Sequence, residues 1–181
     1  SLALDKPAND ISGMVIGGHG DTTMIPLTRL ASYNGIPVSE FLSEEELTKV
    51  AAATMVGGAT LTGLLGTSAW YAPGASVAYL VDSILNDQKK MIACSVMLDG
   101  EYGQGDICIG VPCIIGKNGV EQILDIKLSD SEKAAFAKSA DAVRNMNGDL
   151  KSILGFTFRN SSSMKRVSFC FFLTLINKLI G

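Results

Sequence analysis

Residues Met14, Val15 and Ile16 form a short apolar run that ends in Gly17-Gly18, the pattern of a buried strand emptying into a glycine-rich loop. Further on, Ser43 followed by Glu44-Glu45-Glu46 has the spacing of a capping box. The serine hydroxyl accepts a first-turn amide and Glu46 reaches back, so a helix is expected from 44 to about 65. Gly57-Gly58 inside that pattern weakens an isolated helix but leaves room for a close approach, either of another backbone or of a ligand. Beyond Gly66, Val77, Leu80, Val81, Ile84 and Leu85 recur at helical spacing, and a second helix is expected from Trp70 or Pro73 to Asn86.

The pattern then turns extended. Residues 91–98 (MIACSVML) and 107–115 (ICIGVPCII) are short runs bounded by glycines, and Lys117-Asn118-Gly119 offers a tight turn into a third strand over 120–128. An antiparallel meander follows from this. Ser129-Asp130-Ser131-Glu132 is a second capping box, opening a long helix whose apolar stripe is Phe136, Ala140, Val143, Leu150 and Leu154. Helices, then strands, then a helix predict an α+β fold, long helices packed on antiparallel strands, rather than a repeating βαβ sheet.

A chain of 181 residues, 47% of them hydrophobic, can bury one core of ordinary size. The expected division is one domain over residues 1–154 and an atypical apolar tail over 155–181. A net charge of -3 with dispersed Lys and Arg gives no footprint for nucleic acid. Cys94, Cys108, Cys113 and Cys170 lack CxxC spacing and the chain has a single histidine, so no zinc site is expected. Free thiols in a reducing cytoplasm fit this usage. The first residues, SLALDKPANDISG, lack the features of a secretory signal, and the start at Ser rather than Met predicts a piece of a longer protein. The tail has no acidic residue, and its apolar run at 167–176 is shorter than the roughly 20 residues of a membrane-spanning helix. Two readings of it remain: an interfacial anchor with Lys165 and Arg166 at headgroup level, or a segment foreign to the domain, such as one translated past a frameshift. The break in stripe and charge balance favours the second.

The candidate chemistry lies in IGGHGDTTMIP, residues 16–26, which holds the one histidine of the chain. An imidazole exchanges protons near neutral pH, and a loop following a buried strand holds it at a fixed position. Flanking glycines leave room for a substrate, and Asp21 and Thr22 are suited to hydrogen-bonding local backbone. On these residues alone His19 is either an acid/base or an ordinary loop histidine. Gly103-Gln104-Gly105 begins like a dinucleotide-binding fingerprint, but Cys108 occupies the third glycine position and a strand follows. No Walker sequence or nucleophile elbow occurs.

Three separated blocks carry a resemblance: HGD followed by Met24-Ile25-Pro26, then GTSAWYAPGASVAYLVDSIL, then VMLDGEYGQGDICIGVPCIIGKNGVEQIL. In order and spacing, from about Asn9 to about Leu154, they resemble the C-terminal, substrate-binding half of the lactate/malate dehydrogenase family. The resemblance implies that His19 accepts the hydroxyl proton while malate becomes oxaloacetate and a hydride passes to NAD. It implies that Asp21 supports the loop and that Ser68 and Ala69 line one side of the substrate pocket. The segment from Ser68 to Pro73 favours malate; lactate or another 2-hydroxy acid is the alternative substrate. It further implies a cytoplasmic enzyme that is a homo-oligomer when complete. The Rossmann domain, the substrate-binding arginines and the aspartate that orients the histidine belong to a half that these residues do not match. No Rossmann domain or cofactor-binding residue is therefore expected here, and the chain alone is expected to be inactive. From a different class of function, it would be a non-catalytic association module, pairing through the helix that carries Gly57-Gly58.

Overall fold

Residues 1–154 are described by the computed structural model. In chain order they form β1 (Ile11–Ser12), β2 (Val15–Gly17), β3 (Met24–Pro26), β4 (Ser32–Tyr33), β5 (Ile36–Pro37), α1 (Glu44–Leu65) and α2 (Tyr71–Leu85). Then come β6 (Lys90–Asp99), β7 (Gly105–Gly116), β8 (Gly119–Ile123) and α3 (Asp130–Leu154). A small sheet has the order β1-β4-β5, and the main sheet runs β3-β2-β7-β6 with β8 also on β7. Every pairing is antiparallel, as the α+β reading expects.

The main sheet is organised by β7. Its alternate residues Ile107, Ile109, Val111, Cys113 and Ile115 are each at most 1% exposed, and Gly110, Pro112 and Gly116 on the other face are buried as well. One edge pairs with β6 along its length, from Lys90 opposite Ile115 to Asp99 opposite Gly105. The other edge is shared, β2 meeting it at Gly17 opposite Gly110 and β8 from Cys113 opposite Ile123. Tyr79, Leu80 and Ile84 of α2 and Phe136, Ala140 and Val143 of α3 pack into the same core. The Tyr102 phenol, against Phe136, donates to the Leu124 carbonyl and accepts the Ile126 amide. Burial pushes that phenol up to about 12, so it remains a donor at any physiological pH.

Both capping boxes form. The Ser43 hydroxyl accepts the Glu46 amide and Glu46 accepts the Ser43 amide; Ser129 and Glu132 do the same at α3. Glu132 also takes a bridge from Arg29 at 2.8 Å, and Arg29 donates to the Lys127 carbonyl. That pair ties the start of α3 to the turn after β3.

Three expectations change. The strand after Lys117-Asn118 ends at Ile123 rather than 128, because β2 already occupies β7 at Gly110 and leaves no free edge beyond. Its turn has positive φ only at Gly119, which favours a turn closed by one left-handed glycine over an Asn-Gly pair. The stripe of α2 is only half used: Leu80 and Ile84 face the core, whereas Val77, Val81 and Leu85 are exposed, because α2 is apolar on two faces and the sheet covers one. In α1 Gly57 is the buried residue, and Gly58 faces open space. The Leu150 and Leu154 side chains and the whole of 155–181, with Cys170, Lys165 and Arg166, lie outside the described residues. Within them no helix is long and apolar enough to cross a membrane.

One pair makes stability depend on pH. Partial burial pushes the Glu132 carboxyl up, but the hydrogen bonds from Arg29 and from Ser129, with the Arg29 charge, outweigh it and hold the carboxyl below the ordinary range. A depressed folded value stabilises the fold above the unfolded value of about 4.3, and the contribution fades as pH falls through the folded one. Replacing Glu132→Gln is therefore expected to lower the urea midpoint at pH 7, and the gap to the parent chain is expected to shrink by pH 3. A gap that stays constant over that range would contradict this.

Candidate active site

The loop that carries His19 is the connection of the β2–β3 hairpin. Val15 pairs with Pro26, Ile16 with Ile25 and Gly17 with Met24, after which the strands part over residues 18–23. The base of the hairpin is anchored on three sides. Val15 and Met24 pack with Met55 of α1, Gly17 pairs with Gly110 of β7, and Val143 of α3 lies against Gly18.

Gly17 and Gly18 are dictated by that crowding. Gly17 has φ 95, a left-handed conformation that disfavours any side chain, and a Cβ there would sit 2.5 Å from the Thr23 carbonyl oxygen. At Gly18 a Cβ would meet Val143 Cγ2 at 2.9 Å and Thr23 Oγ1 at 3.0 Å. Beyond the glycines the loop turns outward: Gly18 is buried and His19 exposed. The exposed imidazole makes no hydrogen bond or ion pair among the described residues.

The turn is held by Thr23 and by a residue distant in sequence. The Thr23 and Met24 amides donate to the Gly20 carbonyl at 2.9 and 3.1 Å, and the Thr23 hydroxyl donates to it at 3.2 Å. Ser139 of α3, 3% exposed, accepts the Gly18 amide and donates to the Thr23 carbonyl, both at 2.8 Å. Asp21 and Thr22 are exposed, and neither side chain makes a hydrogen bond among the described residues. Asp21 takes part through its backbone, as a central residue of the turn that Gly20 and Thr23 close. Ser68 and Ala69 lie in the link between α1 and α2, Ser68 exposed and Ala69 half-buried, with no hydrogen bond to the His19 loop.

Ser139 went unread in the sequence, although the signal was there. Phe136, Ser139, Ala140 and Val143 share one face of α3, and a serine on an otherwise apolar buried face calls for a partner. An apolar cleft of about 400 Å³ lies elsewhere, between the first residues and α1, lined among others by Leu2, Leu4, Leu27 and Val50; none of the candidate residues borders it. Gly103-Gln104-Gly105 leads into β7, not into a helix N-terminus, so the backbone amides needed to cradle a pyrophosphate are not assembled there. Cys94, Cys108 and Cys113 form no disulfide among the described residues, and no cluster of three metal-ligating side chains occurs there.

Residues 1–152 match the model of the lactate/malate dehydrogenase, alpha/beta C-terminal domain. The chain belongs to the lactate/malate dehydrogenase family. Malate dehydrogenase of Flavobacterium frigidimaris is 90% identical over 154 residues, which cover 85% of this chain and 50% of that protein. The crystal structure of Cryptosporidium parvum malate dehydrogenase superposes with a TM-score of 0.81 at 39% identity, covering 84% of this chain and 50% of that one. That of lactate dehydrogenase from Eimeria maxima with NADH and oxamate gives 0.80 at 36% identity, over 87% of this chain and 51% of that one. The chain thus spans about half the length of the dehydrogenases it matches.

The crowding at the base of the loop gives a direct expectation. Gly17→Ala combines left-handed strain with a clash against backbone, and should cost about 2 kcal/mol or more of stability. Urea denaturation measures this, and a loss under about 0.5 kcal/mol, the range of an ordinary surface change, would contradict the close approach described.

Proposed function

We propose that this chain carries the proton-transfer half of an NAD-dependent malate dehydrogenase, with His19 as the acid/base. The observation that carries the reading is an exposed imidazole, the only one in the chain, held at the end of an anchored hairpin and without a hydrogen-bond or ionic partner among the described residues. The 90% identity to a malate dehydrogenase supports malate and oxaloacetate as the substrate pair.

In this reading a neutral His19 takes the hydroxyl proton of malate, and the imidazolium returns it to the carbonyl oxygen of oxaloacetate in the reverse direction. Asp21 supports the loop, and Ser68 and Ala69 line one side of the substrate pocket. The described residues do not fit a dinucleotide cradle, so the nucleotide is assigned to the half of the relatives that the chain does not span. NADH in the Eimeria maxima lactate dehydrogenase supports a nicotinamide cofactor for the complete protein. A partner-free imidazole also fits an orienting carboxylate supplied by that other half.

A second reading rests on the helices. Leu64, Leu65, Trp70, Tyr71, Val77, Val81 and Leu85 are all exposed along α1, the link and α2, an apolar surface of the kind that mediates association. It favours a homo-oligomer of the complete enzyme, and is compatible with a chain that associates without catalysing.

The two readings separate when the nucleotide-binding half of the Flavobacterium frigidimaris enzyme is joined ahead of Ser1. The joined protein is expected to oxidise NADH in the presence of oxaloacetate, and His19→Asn to lower kcat by roughly 100- to 10,000-fold. The chain alone is expected to show no turnover. A joined protein that folds and binds NADH without turnover would leave the association reading, and an unchanged rate in His19→Asn would remove the role given to His19.

A further inference from the structure

We propose that Ser139 is the positioning residue of the His19 imidazole, its hydroxyl standing in for the last rung of the β2–β3 ladder and thereby setting how far the loop opens. The significance for proton transfer rests on the acid/base reading of His19.

Antiparallel pairs alternate between hydrogen-bonded and non-bonded. The Leu27 amide donates to the Met14 carbonyl at 2.8 Å, which makes that pair a bonded one. With Ile16 opposite Ile25 and Gly17 opposite Met24, the register makes Gly18 and Thr23 the next bonded pair towards the loop. There the Gly18 amide would reach the Thr23 carbonyl directly. Instead the Ser139 hydroxyl stands between them, accepting from one at 2.8 Å and donating to the other at 2.8 Å. A serine hydroxyl donates and accepts on one small atom, which is what such an insertion demands.

Two further features belong to the same device. The Thr23 amide is turned to Gly20 instead of to Gly18, so the strands have parted by residue 23. Gly17 and Gly18 carry no Cβ where one would strike Ser139 Oγ at 2.9 Å and Val143 Cγ2 at 2.9 Å, which lets α3 reach the hairpin at all. His19 is the residue immediately after the clamped amide. Removal of the hydroxyl leaves the buried Gly18 amide and the partly buried Thr23 carbonyl to close on each other or to part and take up water, and either rearrangement moves His19, the residue after that amide.

The test uses the full 181-residue chain, whose one histidine gives an unambiguous imidazole signal in nuclear magnetic resonance. In Ser139→Ala the imidazole cross-peak is expected to shift or split, and exchange of the Gly18 amide to quicken roughly ten- to hundredfold, while the β6 and β7 amides keep their protection. In the protein joined to a nucleotide-binding half, kcat should fall about tenfold or more with KM nearly unchanged. Should Ser139→Ala fail to fold, Ser139→Cys, a weaker donor of similar size, carries the same comparison. An imidazole signal that stays where it was overturns the proposal. So does one that moves equally in Glu132→Gln, which loosens the start of α3 about two turns before Ser139 and leaves both hydrogen bonds of the clamp in place. A moved imidazole in a joined protein that has no activity even with Ser139 present overturns the acid/base reading and leaves the clamp standing.

Discussion

From Ile109 to Cys113 β7 is buried on both faces, so its backbone groups there must be hydrogen-bonded on both edges, and that constraint shapes the rest of the domain. Its apolar residues at 107, 109, 111, 113 and 115 are removed from water, so an unpaired backbone group there would carry the full cost of desolvation. One edge is satisfied by β6. On the other, β8 covers the end near the turn and the β2–β3 hairpin is attached beside Gly110. The attachment point of the histidine hairpin is therefore a consequence of closing the core, and α2 and α3 reinforce it by packing onto the same strand.

The site inherits its rigidity from this arrangement. A loop presenting an acid/base must hold it within a fraction of an ångström without burying it, since burial would penalise the charged form. The chain separates the two requirements by one residue: Gly18 is buried and clamped, whereas His19 is exposed. The supports come from elements far apart in sequence, Met55 on α1, Gly110 on β7 and Ser139 on α3. A structure that distributes the support so widely fixes the backbone on either side of one residue and leaves that residue's side chain exposed.

Much of this was legible from local signals. The two capping boxes fixed the starts of α1 and α3, and the β-branched runs gave β6 and β7 to within one or two residues at each end. The small sheet was not read because β4 and β5 have two residues each, too few to show a period, although Asn34-Gly35, with φ 48 and 87, marks their turn. The end of β8 was not legible because it depends on β2 occupying the neighbouring stretch of β7, a relation between residues about a hundred positions apart. The glycines mark the His19 loop and Asp21 lies in the backbone of its turn, but the side chain that bonds both strands of the loop, Ser139, comes from across the fold and carries no local signal beside the histidine. Sequence proximity is a poor guide to hydrogen bonding in a hairpin loop that a helix crosses.

If one imidazole both gives and takes the proton, the pH dependence of the two directions of reaction shows it most directly. In the protein joined to a nucleotide-binding half, kcat/KM for malate, which needs the base form, and kcat/KM for oxaloacetate, which needs the acid form, should show transitions of opposite direction with pH. Both transitions should vanish in His19→Gln. Profiles that run in the same direction, or a transition that survives the substitution, would contradict the account.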